Sequence, residues 1–99
     1  MKPSPDSNNF EIQHNPTASR FEVQVSDHVA VLEYQMNGHN MVITHTLVPE
    51  ALEGQGIGSR LARTGLEYAK EHSYHVVALC SFVDSYIRRH PEYQSLINQ

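Results

Sequence analysis

Val48-Pro-Glu-Ala-Leu-Glu-Gly-Gln-Gly-Ile-Gly-Ser-Arg-Leu61 is the stretch that decides the fold of this 99-residue chain. A β-branched segment precedes it and an amphipathic segment follows, which predicts a strand, a glycine-rich turn and a helix. Gly54, Gly56 and Gly58 let the backbone approach a ligand without an intervening Cβ atom. The N–H groups of a helix's first turn lack partners within the helix and favour an anion. The stretch is typical of a phosphate-binding loop, and a tight connection that binds nothing would show the same pattern.

Features missing from this loop narrow the choice of phosphate ligand. No Lys-Ser or Lys-Thr pair follows the last glycine, which excludes the loop of nucleoside triphosphatases with its magnesium ligand. The dinucleotide fingerprint requires two residues between its second and third glycines, whereas one residue separates Gly56 from Gly58 here. A chain of 99 residues also leaves no room for a large nucleotide-binding domain. A ligand carrying a short diphosphate remains.

The composition indicates one compact domain. Hydrophobic residues make up 39% and charged residues 18%, values that are ordinary for a globular protein. A net charge of -4 without a run of Lys or Arg argues against binding to nucleic acid or to an anionic membrane. The single Cys suits a reducing compartment, so we expect a cytoplasmic protein. Residues 1–9, rich in Pro, Ser and Asn, are predicted to be a disordered leader, and residues 10–99 the single domain.

Alternating segments before the loop predict an antiparallel meander. The expected strands are residues 10–14, 20–25, 28–35 and 40–48. Ser26-Asp27 and Asn37-Gly38 are the turn signals between the last three strands.

Two helices and one further strand are predicted after the loop. The apolar stripe Ile57, Leu61, Gly65, Tyr68 and Ala69 indicates a helix that ends within residues 70–73. The short apolar run 76–79 predicts a strand parallel to 40–48 and buried on both faces. Ser81, with Asp84 three residues on, resembles a capping box that begins the second helix. The predicted inward residues of this helix are Phe82, Val83, Tyr86, Ile87 and His90.

Two segments together resemble a known family. Glu53-Gly-Gln-Gly-Ile-Gly58, between the strand Met41–Val48 and a helix, is similar to the acetyl-CoA pyrophosphate loop of the GNAT superfamily of N-acetyltransferases. The segment Val76–Tyr93, with a Cys ending a strand and the tail Arg-His-Pro-Glu-Tyr, is similar to a subfamily of very small stand-alone GNAT-like proteins. The resemblance runs from about Phe10 to Ile97. It departs at Glu53, where the superfamily usually has Gln or Arg, and an acid beside a pyrophosphate is electrostatically unfavourable.

The resemblance implies an α/β fold of minimal GNAT-like type, with an antiparallel meander, one parallel strand and two helices. It implies an acetyl-CoA-dependent N-acetyltransferase that acts on an unidentified small-molecule or protein amine. The oligomeric state stays open, with a monomer or a weak dimer as the expectation. The expected cofactor, acetyl-CoA or coenzyme A, would be bound by Thr46, Leu47, Val48, Gly54, Gln55, Gly56, Ile57, Gly58, Ser59 and Arg89.

Three residues are candidates for chemistry. Cys80 ends a strand directly before a helix, where free N–H groups and the helix dipole stabilise a thiolate. The resemblance places the Cys near the acetyl group, as a transient acyl carrier or as a pocket wall, and a buried structural Cys is the alternative.

His45 is expected on the face of Met41, Ile43 and Leu47, with Thr46 on the other face. His45 could accept a proton from the amine or be an ordinary core residue.

Tyr86 completes the candidate catalytic set. The resemblance places it near the tyrosine that protonates the departing CoA thiolate, while a packed core aromatic is the alternative. The seven histidines contain no helical ligand pair and no Cys-x-x-Cys partner, so no metal site is expected. Two further functions stay open, namely a non-catalytic acyl-CoA-binding or protein-interaction module and a thiol sensor built around Cys80.

Overall fold

The computed structural model describes residues 11–97, which form five strands and three α-helices. The predicted leader, residues 1–9, lies outside the described residues. No helix in the described range is long and apolar enough to cross a membrane. The elements in chain order are β1 (Gln13–Asn15), β2 (Arg20–Val25), β3 (His28–Asn37), β4 (Asn40–Leu47), a 3-10 turn (Glu50–Leu52), α1 (Ile57–Glu71), β5 (His75–Ala78), α2 (Ser81–Arg89), a second 3-10 turn (Pro91–Tyr93) and α3 (Gln94–Ile97).

The strands form one sheet in the order of the chain, β1-β2-β3-β4-β5. Neighbours from β1 to β4 are antiparallel, and β4 and β5 are parallel because α1 crosses over between them. Gly38 makes the β3–β4 turn with a φ of 65°, a conformation that glycine adopts without strain. The predicted meander with one parallel strand is therefore confirmed. The first strand is shorter and later than predicted, at Gln13–Asn15.

Both long helices contribute to one hydrophobic core against the sheet. The predicted stripe on α1 is buried at Ile57, Leu61, Gly65 and Ala69, while Tyr68 is half-buried. α1 packs close to the sheet at Gly65, where an added Cβ would lie in ordinary contact with Leu32, at 3.5 Å. The core also takes in α2 and the second 3-10 turn, through Val83, Tyr86, Ile87 and Tyr93.

The opposite face of the sheet is partly open. Val29 and Leu47 on this face are exposed, and Leu79, directly after β5, is 68% exposed. The prediction that residues 76–79 are buried on both faces is wrong, because only Val76 of this segment is fully buried. The inward position predicted for Phe82 is also wrong, since this side chain is 37% exposed.

A β-bulge in β4 changes which side chains face the core. Tyr34 pairs with Ile43, whereas Glu33, the adjacent residue in β3, pairs with His45, so that Thr44 is an extra residue. Side chains alternate between the faces of a strand, and one extra residue therefore exchanges the faces for all that follow.

The bulge overturns the predicted orientation of the last residues of β4. His45 and Leu47 lie on the open face, not with Met41 and Ile43 as the sequence predicted. Thr46, predicted to face away from them, pairs with the fully buried Leu32 and takes the core face instead.

Candidate functional site

The glycine loop connects β4 to α1 through two left-handed residues. Gly54 has a φ of 86°, and Gly56, the residue that caps α1, has a φ of 78°. Nothing lies within 4 Å of where a Cβ would stand at either position. The two glycines are therefore required by the backbone conformation, and the space beside the loop is open to a ligand.

The loop ends in a cluster of backbone donors. The amides of Ile57, Gly58 and Ser59 occupy the first turn of α1, where no acceptor within the helix is available to them. The fifteen-residue helix has no acidic residue in its first turn, so its dipole is not cancelled there. This end of α1 suits a phosphate or diphosphate group.

A cavity of about 450 Å³ lies beside these donors, between the loop, the end of β4 and the start of α2. It combines main-chain groups of the loop with apolar side chains from the other two elements. Glu53 is the ionisable residue among those that line it. The lining residues are Thr46, Leu47, Val48, Leu52, Glu53, Gly54, Gly56, Ile57, Gly58, Ser59 and Phe82.

The structure brings most of the predicted cofactor-binding residues into this cavity. Gln55 is exposed and is not in the wall. Arg89 is the last residue of the nine-residue α2, about 12 Å along the helix axis from its first residue, and is also absent from the wall. The predicted residues that line the cavity are Thr46, Leu47, Val48, Gly54, Gly56, Ile57, Gly58 and Ser59.

Phe82 lines the cavity although it was not among the predicted site residues. Its ring packs on Gly58, and a Cβ at position 58 would stand 3.0 Å from Cζ of Phe82. The third glycine of the loop is thus needed for contact between α1 and α2 rather than for a left-handed turn. The position of Phe82 in the first turn of α2, two residues after Cys80, was the signal that could have identified it.

β4 and β5 separate at the inner end of the cavity. Their pairing ends at Ile43 and Ala78, and the amides of Leu79 and Cys80 both donate to the Ile43 carbonyl, at 3.0 and 3.2 Å. β4 continues to Leu47, while the chain after Cys80 turns into α2. The separation opens a gap between the two elements.

Cys80 lies at this gap as the capping residue of α2. Its thiol donates a hydrogen bond to Oγ1 of Thr46, at 3.4 Å, and Thr46 lines the cavity. The predicted capping box is wrong, because Ser81 lies inside the helix and the cap residue makes no side-chain capping hydrogen bond.

The surroundings of Cys80 favour its thiolate. Burial raises the pKa of the thiol, but the hydrogen bond with the Thr46 hydroxyl acts in the opposite direction. Backbone amides of Val83, Phe82 and Thr46 further lower the pKa. The net result is a pKa below the ordinary value, since donors and the α2 dipole stabilise the negative charge.

His45 is separate from Cys80 and from the cavity. Its side chain is 65% exposed on the open face, and its Nδ1 lies 3.7 Å from Oε1 of Glu33. The structure therefore places the candidate base on the opposite side of β4 from Thr46.

Tyr86 is a core residue that lines a different cavity. It is 5% exposed, and its ring stacks on His90 with a centroid distance of 4.0 Å. Burial raises its pKa. The second cavity, of about 680 Å³, runs along α1, and Ser59 lines both cavities. The other residues that line the second cavity are His14, Phe21, Arg60, Arg63, Thr64, Glu67, Tyr68, Glu71 and Tyr86.

Within residues 11–97, no group of three His, Cys, Asp or Glu side chains is arranged to hold a metal ion.

Comparison with known proteins agrees with the fold. Residues 20–96 match the sequence model of GCN5-related N-acetyltransferase. The solution structure of a GCN5-like protein from Staphylococcus aureus, itself an inferred N-acetyltransferase, superposes with a TM-score of 0.70. The two chains are 27% identical, over 89% of this chain and 87% of the other. This chain therefore belongs to the GCN5-related N-acetyltransferase family.

Proposed function

We propose that the protein transfers an acetyl group from acetyl-CoA to an amine of a small molecule or a protein. The observation that carries this proposal is the continuity of one cavity from the amides of α1 to Thr46, the hydrogen-bond partner of Cys80. The diphosphate and the thioester carbonyl of acetyl-CoA would thus be bound at opposite ends of one cavity. Family membership supports the same reaction class.

Each part of the cavity suits one part of the donor. The amides of Ile57, Gly58 and Ser59 would bind the diphosphate. Apolar side chains of Val48, Leu52 and Phe82 would contact the pantetheine arm and exclude water. Glu53 weakens the attraction for an anion, although its exposed side chain leaves the amides of α1 in place.

The reaction requires a neutral amine, because an ammonium group has no lone pair for attack on the thioester carbonyl. In direct transfer the amine forms the new C–N bond and loses a proton, and the CoA sulfur leaves with the electrons of the broken C–S bond. In transfer through Cys80, CoA leaves when the Cys80 sulfur takes the acetyl group, and the amine then displaces that sulfur. Backbone donors at the end of β4 would polarise the carbonyl in the manner of an oxyanion hole. His45 lies on the opposite side of β4 from Thr46, so the proton would have to pass to the other side of the sheet to reach it.

A non-catalytic module that binds acyl-CoA is the second candidate. The specific observation in its favour is the separation of the candidate catalytic residues. His45 is on the open face and Tyr86 lines the second cavity, so neither shares the cofactor cavity with Thr46.

Gly56→Glu tests cofactor binding. We expect calorimetry to show saturable binding of acetyl-CoA and CoA to the wild-type protein, and at least a tenfold loss of affinity in the variant. The new carboxylate would stand at the end of α1, where it repels a diphosphate. Gly38→Glu is the matched control, since Gly38 also has a positive φ and open space around it but lies in the distant β3–β4 turn.

Equal affinities in the two variants would contradict a diphosphate site at the loop. Absence of binding of either ligand to the wild-type protein at millimolar concentration would overturn the transferase proposal and leave a protein-interaction module. Thermal unfolding of both variants controls for the cost of a side chain at positive φ, which is about 1 kcal/mol at each position.

Mass spectrometry of the intact protein tests the role of Cys80. The lowered pKa of its thiol favours a route in which the thiolate attacks the thioester, expels CoA and carries the acetyl group before the amine attacks. After incubation with acetyl-CoA, we expect one added acetyl mass that is absent from Cys80→Ala. Turnover without this added mass would establish direct transfer from acetyl-CoA instead.

A further inference from the structure

The second cavity begins beside the diphosphate donors of α1. Ser59 carries one of these amides and lines both cavities. One helical turn after Ser59, Arg63 lines the second cavity together with Tyr86 of α2. Burial raises the pKa of Tyr86 and the nearby charge of Arg63 opposes this rise, so Arg63 lies on the side of α1 that faces α2. A ligand that extends from the diphosphate into the second cavity therefore reaches Arg63.

The charges differ on the two sides of the diphosphate donors. Glu53 precedes the glycine loop and lines the cofactor cavity. Arg60 and Arg63 follow the loop, in the first two turns of α1, and line the second cavity. Glu67 and Glu71 line it too, but one and two turns beyond Arg63. A further anionic group of the ligand is therefore favoured at the start of the second cavity and disfavoured beside Glu53.

The guanidinium of Arg63 is available to such a group. The side chain is exposed, and among residues 11–97 no carboxylate forms an ion pair with it. Glu67, the carboxylate one turn further along α1, accepts a hydrogen bond from the Tyr93 hydroxyl at 2.6 Å. A guanidinium can bind a phosphate through two parallel hydrogen bonds. Arg63 can therefore take up a phosphate without first losing an ion pair to a described residue.

We propose that Arg63 binds the 3′-phosphate of CoA, so that the start of the second cavity holds the phosphorylated ribose of the cofactor. This inference rests on the proposed binding of acetyl-CoA at the loop. In CoA this ribose is attached to the diphosphate on the side opposite to the pantetheine arm, so it lies outside the cofactor cavity when pantetheine fills that cavity. Arg63 is about 6 Å along the helix axis from Ser59, a distance that one ribose and its phosphate can span. The sequence analysis gave the contact with a CoA phosphate to Arg89, which lines neither cavity.

Calorimetry with CoA and dephospho-CoA, which lacks only the 3′-phosphate, tests this proposal without a known acceptor. At low ionic strength we expect CoA to bind the wild-type protein about fivefold more tightly than dephospho-CoA, and added salt to reduce this ratio. In Arg63→Gln the two dissociation constants should come within about twofold of each other. Arg88→Gln is the matched control, because it removes the same charge from an exposed residue that lines neither cavity. It should keep the wild-type ratio.

The two ligands separate failure of this inference from failure of the proposed function. If the wild-type protein binds CoA and dephospho-CoA equally, the role of Arg63 is overturned and the diphosphate site stands. If Arg63→Gln weakens both ligands equally, or if Arg88→Gln reduces the ratio as much, the charge acts without contact to the 3′-phosphate and the role is again overturned. If the wild-type protein binds neither ligand, the proposed function fails and this inference fails with it.

Arg63→Glu provides a second readout, because it changes the direction of the preference. The new carboxylate would repel the 3′-phosphate, so we expect this variant to bind dephospho-CoA more tightly than CoA. Gly56→Glu should instead weaken both ligands by similar factors, since both carry the diphosphate. A preference for CoA that survives in Arg63→Glu would show that the 3′-phosphate is bound elsewhere and would overturn the proposal.

Discussion

The side chain of Thr46 joins the candidate nucleophile to the cofactor cavity. Its hydroxyl is the hydrogen-bond partner of the Cys80 thiol and can donate to the thiolate once the proton has left. Its amide also stabilises the thiolate. The reactivity of Cys80 is therefore set partly by a residue 34 positions earlier in the chain.

Thr46→Val should raise the pKa of Cys80, because the thiolate loses a hydroxyl donor while the shape of the side chain is kept. We expect the rate of alkylation by iodoacetamide at pH 7 to fall severalfold, and its pH profile to shift to higher pH. Thr44→Val is the control, since that hydroxyl bonds to the Glu33 carbonyl instead. Identical profiles for the wild-type protein and Thr46→Val would show that the amides alone lower the pKa.

Residue positions were predictable where local chemistry determines them. Gly54 and Gly56 could be assigned to the loop because glycine is the residue that adopts a positive φ without strain. The exposure of Phe82 could not be read from helical periodicity. Periodicity predicts which side chains share one face of a helix. Whether that face packs on the core or lines a cavity depends on the gap between β4 and β5.

At the scale of elements, β4 shows where sequence patterns stop being sufficient. The segment Met41–Val48 alternates well enough to predict a strand, and the strand is present. The bulge at Thr44 cannot be predicted from the alternation of apolar and polar residues in β4. The bulge depends on how β4 pairs with Glu33 and Tyr34 of β3. The faces of His45 and Thr46 were therefore exchanged in the prediction.

The helix boundaries were more predictable than the helix faces. α1 begins directly after the second glycine and ends near His72, as the apolar stripe and the loop indicated. α2 ends before Pro91, which cannot continue a helix. The burial of β5 was overestimated because both α1 and α2 contribute to a core on one side of the sheet.

At the scale of the whole molecule, the 3-10 turn that follows α2, Pro91–Tyr93, is hydrogen-bonded to α1. Tyr93, in the second 3-10 turn, is 3% exposed, and its hydroxyl donates to Glu67 of α1 at 2.6 Å. Burial and this hydrogen bond raise the pKa of Tyr93 to about 12. The tail thus contributes to global stability in a way that depends on pH.

Tyr93→Phe should reduce the loss of stability at alkaline pH. The folded protein favours the neutral phenol, so its contribution is complete below the ordinary pKa of 10 and is lost as the pH rises toward 12. A shift of this size corresponds to roughly 2 to 3 kcal/mol. We expect urea unfolding, followed by circular dichroism, to show a smaller difference between about pH 8 and pH 11.5 in the variant.

The same measurement can contradict this account. At about pH 8 the variant should be less stable than the wild-type protein by about 1 kcal/mol, since Glu67 loses a donor. If the wild-type protein and the variant lose equal stability on going to high pH, Tyr93 does not carry the alkaline sensitivity. The other tyrosines with raised pKa, Tyr34, Tyr68 and Tyr86, would then account for it.

The contact between Gly58 and Phe82 has a consequence for how related sequences can diverge. A Cβ at position 58 requires the ring at position 82 to move by a few tenths of an ångström. A smaller residue at position 82 removes this requirement. We therefore expect the residues at these two positions to change together among related sequences, although 23 residues, including the rest of α1 and all of β5, separate them along the chain.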